Sequence, residues 1–310
     1  MGTCIALITG GAGFLGSNTA ALFLEKGYSV RVVDNLSSGH KKNVEVLDVQ
    51  FFHGDIRDAD LMQQACEGVD VVLHMAASVG RQKSLDNPQE DSSVNLIGTT
   101  TVLEEARKAG VRTVVYSSSA AIFGELSDMP IEEDYPQNPD SPYGVSKLAG
   151  EKQALCYAAL YNMKVVCLRY FNVFGINQRY DAYGNVIPIF AKRLFNGQPL
   201  MIYGDGEQTR DFVNVKDVAM ANYLAATAAQ RTGVYNVGTG ESITINRLAH
   251  LMISLSGIKA NIEYAPVRPA DVRHCRANNE RAKREIGFNP SIRMEEDLAG
   301  YIQWYGAYES

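Results

Sequence analysis

Over the first 173 residues of this 310-residue chain, short β-branched runs alternate with helical patterns, and that rhythm limits the fold more than any other feature. The runs are "CIALIT" (4–9), "SVRVVD" (29–34), "VQFFHGD" (49–55), "VDVVLHMAA" (69–77), "RTVVYSSS" (112–119) and "KVVCLRYFN" (164–172). Most are apolar nearly throughout, as strands must be when helices cover both faces of a sheet. Between them "GSNTAALFLEKG" and "NLIGTTTVLEEARKAG" read as helices, the second ending at Gly110. Such alternation predicts an α/β fold on an open, doubly wound parallel sheet.

After about residue 173 the rhythm breaks. "IPIFAKRLFNGQP" and "TINRLAHLMISLSG" read as helices set among short strands and Gly/Pro-rich loops. We expect one domain over 1–173 and a smaller α/β lobe over 174–310, with part of 205–240 returning to the first domain. The net charge of -6 and the lack of a Lys/Arg run argue against nucleic acid as a partner. No apolar run reaches membrane-spanning length, and "MGTCIALITG" has no signal-peptide pattern, so a cytoplasmic location and no membrane partner are expected. The five cysteines (Cys4, Cys66, Cys156, Cys167, Cys275) have no metal-ligand spacing and read as free thiols of a reducing compartment.

"ITGGAGFLGS" follows the first strand and opens the first helix. It reads as G-x-G-x-x-G through Gly11, Gly13 and Gly16, or as G-x-x-G-x-x-G through Gly10, Gly13 and Gly16. Glycines there let the backbone approach a pyrophosphate seated on a helix N-terminus, although alone they also suit a plain tight turn. Asp34 ends the second strand, where a carboxylate binds ribose hydroxyls and repels a 2′-phosphate. With no arginine in "DNLSSGHKK", a Rossmann-type site for NAD rather than NADP is expected. Asp55, ending the third strand, is placed either to reach an adenine or to cap the next helix.

"YGVSK" carries Tyr143 and Lys147 four residues apart, on one helix face. A free tyrosine titrates near 10, and a nearby ammonium with a cationic nicotinamide would lower that by roughly one to three units. The phenol would then work as a general base near neutral pH. "RTVVYSSS" presents Ser117, Ser118 and Ser119 at the sheet edge where ligands bind.

With these residues in place, the chain resembles the extended short-chain dehydrogenase/reductase family. The matching stretches are "TGGAGFLG", "DNLSSG", "HMAA", "SSSAAIFG", "SPYGVSK", "LRYFNVFG", "GDGEQTRDFVNV", "YNVGTG" and "RPAD", in order from residue 9 to 271. Within the family the pattern is most similar to the UDP-sugar 4-epimerases. The resemblance implies that Tyr143 is the general acid/base and that Lys147 binds the nicotinamide ribose. Ser119 would hydrogen-bond the sugar hydroxyl, with Ser118 the neighbouring candidate. It assigns the cofactor to Gly10, Gly13, Phe14, Leu15 and Gly16, to Asp34, Asn35, Ser37, Ser38 and Gly39, and to Asp55 and Ile56. Met75, Ala76, Ala77, Asn95, Ser117 and Tyr170 complete that set. For the UDP-sugar it implies Asn172, Asn185, Val186, Met201, Tyr203, Arg210, Arg268 and Asp271, the two arginines pairing with the diphosphate.

Four further positions bear on the reaction. Sister 4,6-dehydratases and UDP-glucuronate decarboxylases carry acidic residues right after the catalytic hydroxyl residue. Here Ala120 and Ala121 stand there, which removes the acid that elimination needs and leaves epimerisation. Cys275 stands where a tyrosine goes with glucose/galactose substrates and a small residue with 2-acetamido sugars, unless it is simply a half-buried thiol. Val79 likewise replaces a lysine frequent in glucose/galactose epimerases. The expected activity is C4 inversion of UDP-GlcNAc/UDP-GalNAc, with UDP-Glc/UDP-Gal as a second pair, in a homodimer formed through helices around 92–109 and 143–161. The alternatives are a nucleotide-sugar oxidoreductase releasing NADH and a non-catalytic NAD-binding sensor.

Overall fold

Parallel strands cannot be joined by a tight turn, so each pair needs a crossover, and here the crossovers are helices. The computed structural model describes residues 3–126, 129–181, 184–228, 232–267, 272–290 and 293–309. In chain order the first half runs β1 (Ile5–Thr9), α1 (Phe14–Glu25), β2 (Ser29–Asp34), β3 (Val49–His53), α2 (Ala59–Cys66), β4 (Val71–His74), α3 (Arg81–Asp86) and α4 (Pro88–Ser92). A π-helical turn, Ser93–Gly98, leads into α5 (Thr99–Lys108), β5 (Thr113–Ser119), α6 (Pro142–Tyr161) and β6 (Lys164–Tyr170). The second half contributes β7 (Asn172–Phe174), α7 (Val186–Phe195), β8 (Leu200–Tyr203), β9 (Thr209–Arg210), β10 (Phe212–Asn214), α8 (Val215–Thr227) and β11 (Gly233–Val237). It closes with β12 (Ile243–Thr244), α9 (Ile245–Ser256), β13 (Ile262–Ala265), α10 (Glu280–Ile286) and α11 (Met294–Glu309).

Seven strands form one parallel sheet in the order β11-β6-β5-β4-β1-β2-β3. The chain starts at β1, steps outward to β3, then restarts at β4 and proceeds the other way. That reversal opens a crevice beyond the C-terminal ends of β1 and β4. Side chains alternate across the sheet as a period of two requires. Ile8, Val32, Leu73 and Val166 face a core shared with Phe23 of α1 and Val218 and Ala221 of α8. Leu7, Val33, Val72 and Val165 face the opposite core with Met62, Leu103 and Ala154. A third core of Phe174, Phe190, Leu248, Leu298 and Tyr305 builds the second lobe, where β8 pairs with β13 and β9 with β12. The chain returns from that lobe through α8 and β11, which pairs with β6. Among the described residues, no helix is long and apolar enough to cross a membrane.

The expected strands lie where the patterns put them but end two or three residues earlier at several C-terminal edges, because their last residues turn into the crevice. The helix expected from Asn95 begins as a π turn and becomes α-helical only at Thr99.

One charged pair is fully enclosed. Arg169, in the middle of an apolar strand, meets Glu151 of α6 through Nη2–Oε1 at 2.6 Å and Nε–Oε2 at 2.9 Å, with side chains 1% and 0% exposed. Arg169 Nη1 also donates to the Glu133 carbonyl, and its guanidinium lies over the Phe123 ring. Removing one member strands the other charge in the interior. Glu151→Ala should therefore cost about 3–5 kcal/mol in denaturant unfolding, and Glu151→Met with Arg169→Met should recover most of that loss.

Candidate active site

The loop between β1 and α1 forms one wall of the crevice. Gly10 adopts φ +69°, and a Cβ there would sit 2.8 Å from the Ala76 backbone. A Cβ on Gly16 would sit 2.2 Å from the Gly10 carbonyl oxygen. These two positions therefore admit only glycine, and the chain passes close to itself before entering α1. The first-turn N–H groups, including those of Phe14, Leu15 and Gly16, have no intrahelical acceptor and suit a phosphate. At the end of β2 the buried Asp34 carboxylate accepts the N–H groups of Ala12 (2.9 Å) and Leu36 (2.8 Å), so both oxygens are oriented. Burial pushes its carboxyl up from the ordinary range while those N–H groups hold it down. The loop Asn35, Ser37, Ser38 and Gly39 wraps this carboxylate, Gly39 so closely that a Cβ would meet its oxygens at 2.8 and 2.9 Å. This cradle fits NAD.

The rest of the expected cofactor set lies along the same sheet edge. Met75 and Ala76 donate their N–H groups to the Thr9 hydroxyl as the chain leaves β4 toward Ala77. Ile56 is buried against Gly98. Asp55 does not cap α2; Asp58 does, because its side chain is the one that reaches the Leu61 N–H. Asp55 instead takes Arg57 and the Asn35 amide, and the Arg57 guanidinium holds its carboxyl down to about 2. Ser117 and Tyr170 hydrogen-bond each other at 3.2 Å, and Tyr170 donates to Asn222.

Helix α6 starts at Ser141, whose hydroxyl accepts the Gly144 N–H, followed by Pro142 in the first turn. Tyr143 and Lys147 therefore stand one turn apart at the mouth of the crevice. Ser84 of α3 accepts the Tyr143 N–H at 3.1 Å, and the Arg81–Asp140 pair ties the same segments together. Lys147, 4% exposed, places its ammonium 4.5 Å from the centroid of the Tyr116 ring. Burial lowers its pKa to about 8, opposed first by the Asp91 carboxylate.

In the chain by itself the Tyr143 phenol sits above its ordinary value. Burial pushes it up to about 12, the Ser119 hydrogen bond works against that, and Asp91 adds to it.

The strand alternation separates the serines. Ser119 hydrogen-bonds Tyr143 and accepts the Ala121 N–H at 3.2 Å. Ser118 points the other way and donates to Glu151 at 2.7 Å. After Ser119, Ala120 and Ala121 form a short 3-10 turn whose neighbours Ile122 and Phe123 pack with Cys275. Burial pushes the Cys275 thiol up to about 12, while the Arg210 cation on β9 pulls it down. Met201 and Tyr203 occupy the half-buried face of β8, Asn172 opens β7, and Asn185 sits at the N-terminus of α7 ahead of Val186. Arg268 and Asp271 lie outside the described residues. Val79 is exposed, just before α3.

Several functional neighbours escaped the sequence reading. Arg169 had a signal, a charge inside an apolar strand, which demands a buried partner. Ser84, Asp91 and Ser146 had none, because nothing local distinguishes them from surface residues.

A nucleotide cradle joined to a Tyr-Lys-Ser centre defines an NAD-dependent sugar-nucleotide enzyme class, and the comparisons agree. Residues 6–238 match the NAD dependent epimerase/dehydratase family, to which the chain belongs. A putative UDP-glucose 4-epimerase of Methanocaldococcus jannaschii is 36% identical over 300 residues, covering 96% of this chain and 97% of that one. The UDP-N-acetylglucosamine 4-epimerase of Methanobrevibacter ruminantium M1, solved with UDP-N-acetylmuramic acid, superposes with a TM-score of 0.95 at 33% identity, covering 99% of this chain and 100% of that one. The Thermotoga maritima UDP-glucose 4-epimerase, solved with UDP-glucose, gives 0.95 at 35% identity with the same coverage. Within the family the chain is of the NAD-dependent UDP-sugar 4-epimerase type of extended short-chain dehydrogenase/reductases.

The two serines give a direct test. Ser119→Ala should lower kcat for UDP-sugar isomerisation about 100-fold with normal stability. Ser118→Ala should leave kcat within a few-fold and cost about 1–2 kcal/mol in unfolding, since it strips a buried carboxylate of a donor.

Proposed function

We propose that this chain inverts C4 of UDP-GlcNAc and UDP-GalNAc, and of UDP-Glc and UDP-Gal as a second pair. Tyr143 takes the proton of the C4 hydroxyl and returns it to the C4 oxygen once the 4-keto sugar has turned over and presents the other face of C4 for reduction. Bound NAD supplies a hydride acceptor and then a donor, and its oxidised ring carries the positive charge that favours a phenolate. Ser119 holds the sugar hydroxyl and stabilises the phenolate, while Lys147 binds the nicotinamide ribose. Gly10 through Gly16 and Asp34 hold the dinucleotide. Asn172, Asn185, Val186, Met201, Tyr203 and Arg210 hold the UDP, and the sugar is left free to turn.

The observation that carries the reading is the Ser119–Tyr143 pair followed by Ala120 and Ala121. Ala120 and Ala121 put no acid directly after the serine, which suits a reaction in which one phenol returns the proton it takes. The acetamido preference is supported by Cys275, a small side chain packed beside the Ala120–Phe123 turn. Incubating the protein with UDP-GlcNAc and no added reductant should give UDP-GalNAc without net absorbance at 340 nm. Steady NADH formation would point to a net oxidoreductase, and no conversion to a sensor. Cys275→Tyr should reduce acetamido-sugar turnover at least about tenfold and spare the glucose/galactose pair, since a methylene-scale clash in a packed pocket discriminates on that order.

A homodimer through α5 and α6 accompanies this reading. Ile97, Val145, Leu160 and Tyr161 leave apolar side chains exposed on the π turn and α6. Sedimentation should show a dimer, and Val145→Asp with Leu160→Asp a monomer.

A further inference from the structure

His74 ends β4 and has no part in the mechanism above, yet it is 1% exposed and its ring is held at both nitrogens. Nδ1 lies 2.8 Å from the hydroxyl of Thr9, the last residue of β1, and Nε2 lies 2.9 Å from the hydroxyl of Thr99, the first residue of α5. Both threonines are buried as deeply as the histidine. The hydrogens of this row can be placed one by one, because its two ends allow only one direction.

At one end, Thr99 donates its hydroxyl hydrogen to the Asn95 carbonyl at 2.7 Å, back into the π turn, since a carbonyl can only accept. The Thr99 oxygen is left to accept, so His74 Nε2 carries the ring hydrogen. At the other end, the Thr9 oxygen accepts the N–H groups of Met75 at 3.1 Å and Ala76 at 3.2 Å. Its own hydrogen is therefore free for Nδ1, which is bare in the Nε2–H ring. Burial, with the Lys147 ammonium adding to it, keeps the ring uncharged, down to about 3.

This row fixes the seam between the two walls of the NAD cradle. Thr9 precedes Gly10, and a Cβ on Gly10 would meet the Ala76 Cα and nitrogen at 2.8 Å and the Met75 carbonyl carbon at 3.1 Å. The Met75 N–H is shared with the Thr9 carbonyl at 3.2 Å, whereas the Ala76 N–H goes to the Thr9 hydroxyl. The segment that runs from Met75 to Ala77 is thus pinned against the glycine turn through one hydroxyl, and His74 orients that hydroxyl.

We infer that His74, as its Nε2–H tautomer, is a positioning residue for NAD: it takes the Thr9 hydroxyl hydrogen and so holds the Thr9 oxygen toward the Met75 and Ala76 N–H groups, which keeps the two walls of the cradle closed on each other. The inference rests on the reading of this crevice as the NAD site, not on which sugar is turned over.

Two measurements test it. In wild-type protein labelled with 15N-histidine, long-range proton–nitrogen spectra report five rings, and His74 is the one absent from His74→Asn. It should show a protonated Nε2 and a bare Nδ1, unchanged from about pH 8 to about pH 5. The second is calorimetric titration of the cofactor-free chain with NAD. His74→Phe, which keeps a ring but loses the acceptor, should raise Kd about tenfold, and Thr9→Val should do the same. His74→Asn, whose oxygen can stand where Nδ1 does, should stay within about threefold of the wild type. Because His74 acts through Thr9, His74→Phe combined with Thr9→Val should weaken NAD no more than about twofold beyond Thr9→Val alone. Should His74→Phe fold poorly, His74→Leu takes its place in both comparisons. A charged ring or the Nδ1–H tautomer overturns the inference, as do additive losses in the double variant. An unmoved Kd with lowered stability overturns it too, since that is the mark of a purely structural brace. A wild type that binds NAD but converts no UDP-sugar would sink the epimerase reading and leave the tautomer and the NAD affinities to decide this one.

Discussion

The bidentate pair between Arg169 and Glu151 is the interaction on which the site depends. It joins β6 to α6 through a dry interior and recruits Ser118 of β5 as a third member. In low dielectric such a pair is tolerated only when nearly every donor and acceptor is satisfied, so it permits one register of helix against sheet. That register decides where Tyr143 and Lys147 emerge at the crevice. It also turns Ser118 inward, which leaves Ser119 as the hydroxyl beside Tyr143.

Around this joint the molecule divides its labour by rigidity. The nucleotide wall is built from backbone passing so close to itself that side chains are excluded at Gly10 and Gly16. Such a wall has little freedom to lose on binding, which suits a cofactor held through each turnover. Beyond Ser119 the chain carries small side chains, Ala120 and Ala121, in a short turn that packs with Cys275.

Burial does the electrostatic work at the centre, and it acts in opposite senses on Tyr143 and Lys147. It raises the Tyr143 phenol and lowers the Lys147 ammonium, so both uncharged forms are favoured. The expectation of a lowered phenol counted the Lys147 and nicotinamide charges, and burial of the ring works against both.

Local spacing alone determined the parallel sheet, the glycine cradle, Asp34 and the Tyr143–Lys147 face. Each depends on backbone periodicity, two residues in a strand and four along a helix, or on turn geometry within a few residues. Asp58 instead of Asp55 as the helix cap was the kind of local detail that sequence left open. Tertiary structure decided which partners Ser118 and Ser119 take, the Arg169–Glu151 joint and the packing of Cys275 against the Ala120 turn. Those contacts link residues far apart in the chain, as Glu151 with Arg169, 18 positions on, and Ser118 with Glu151, 33 positions on, show. No repeat along the chain encodes such a meeting, because it is set by which sheet edge and which helix face the packed cores bring together.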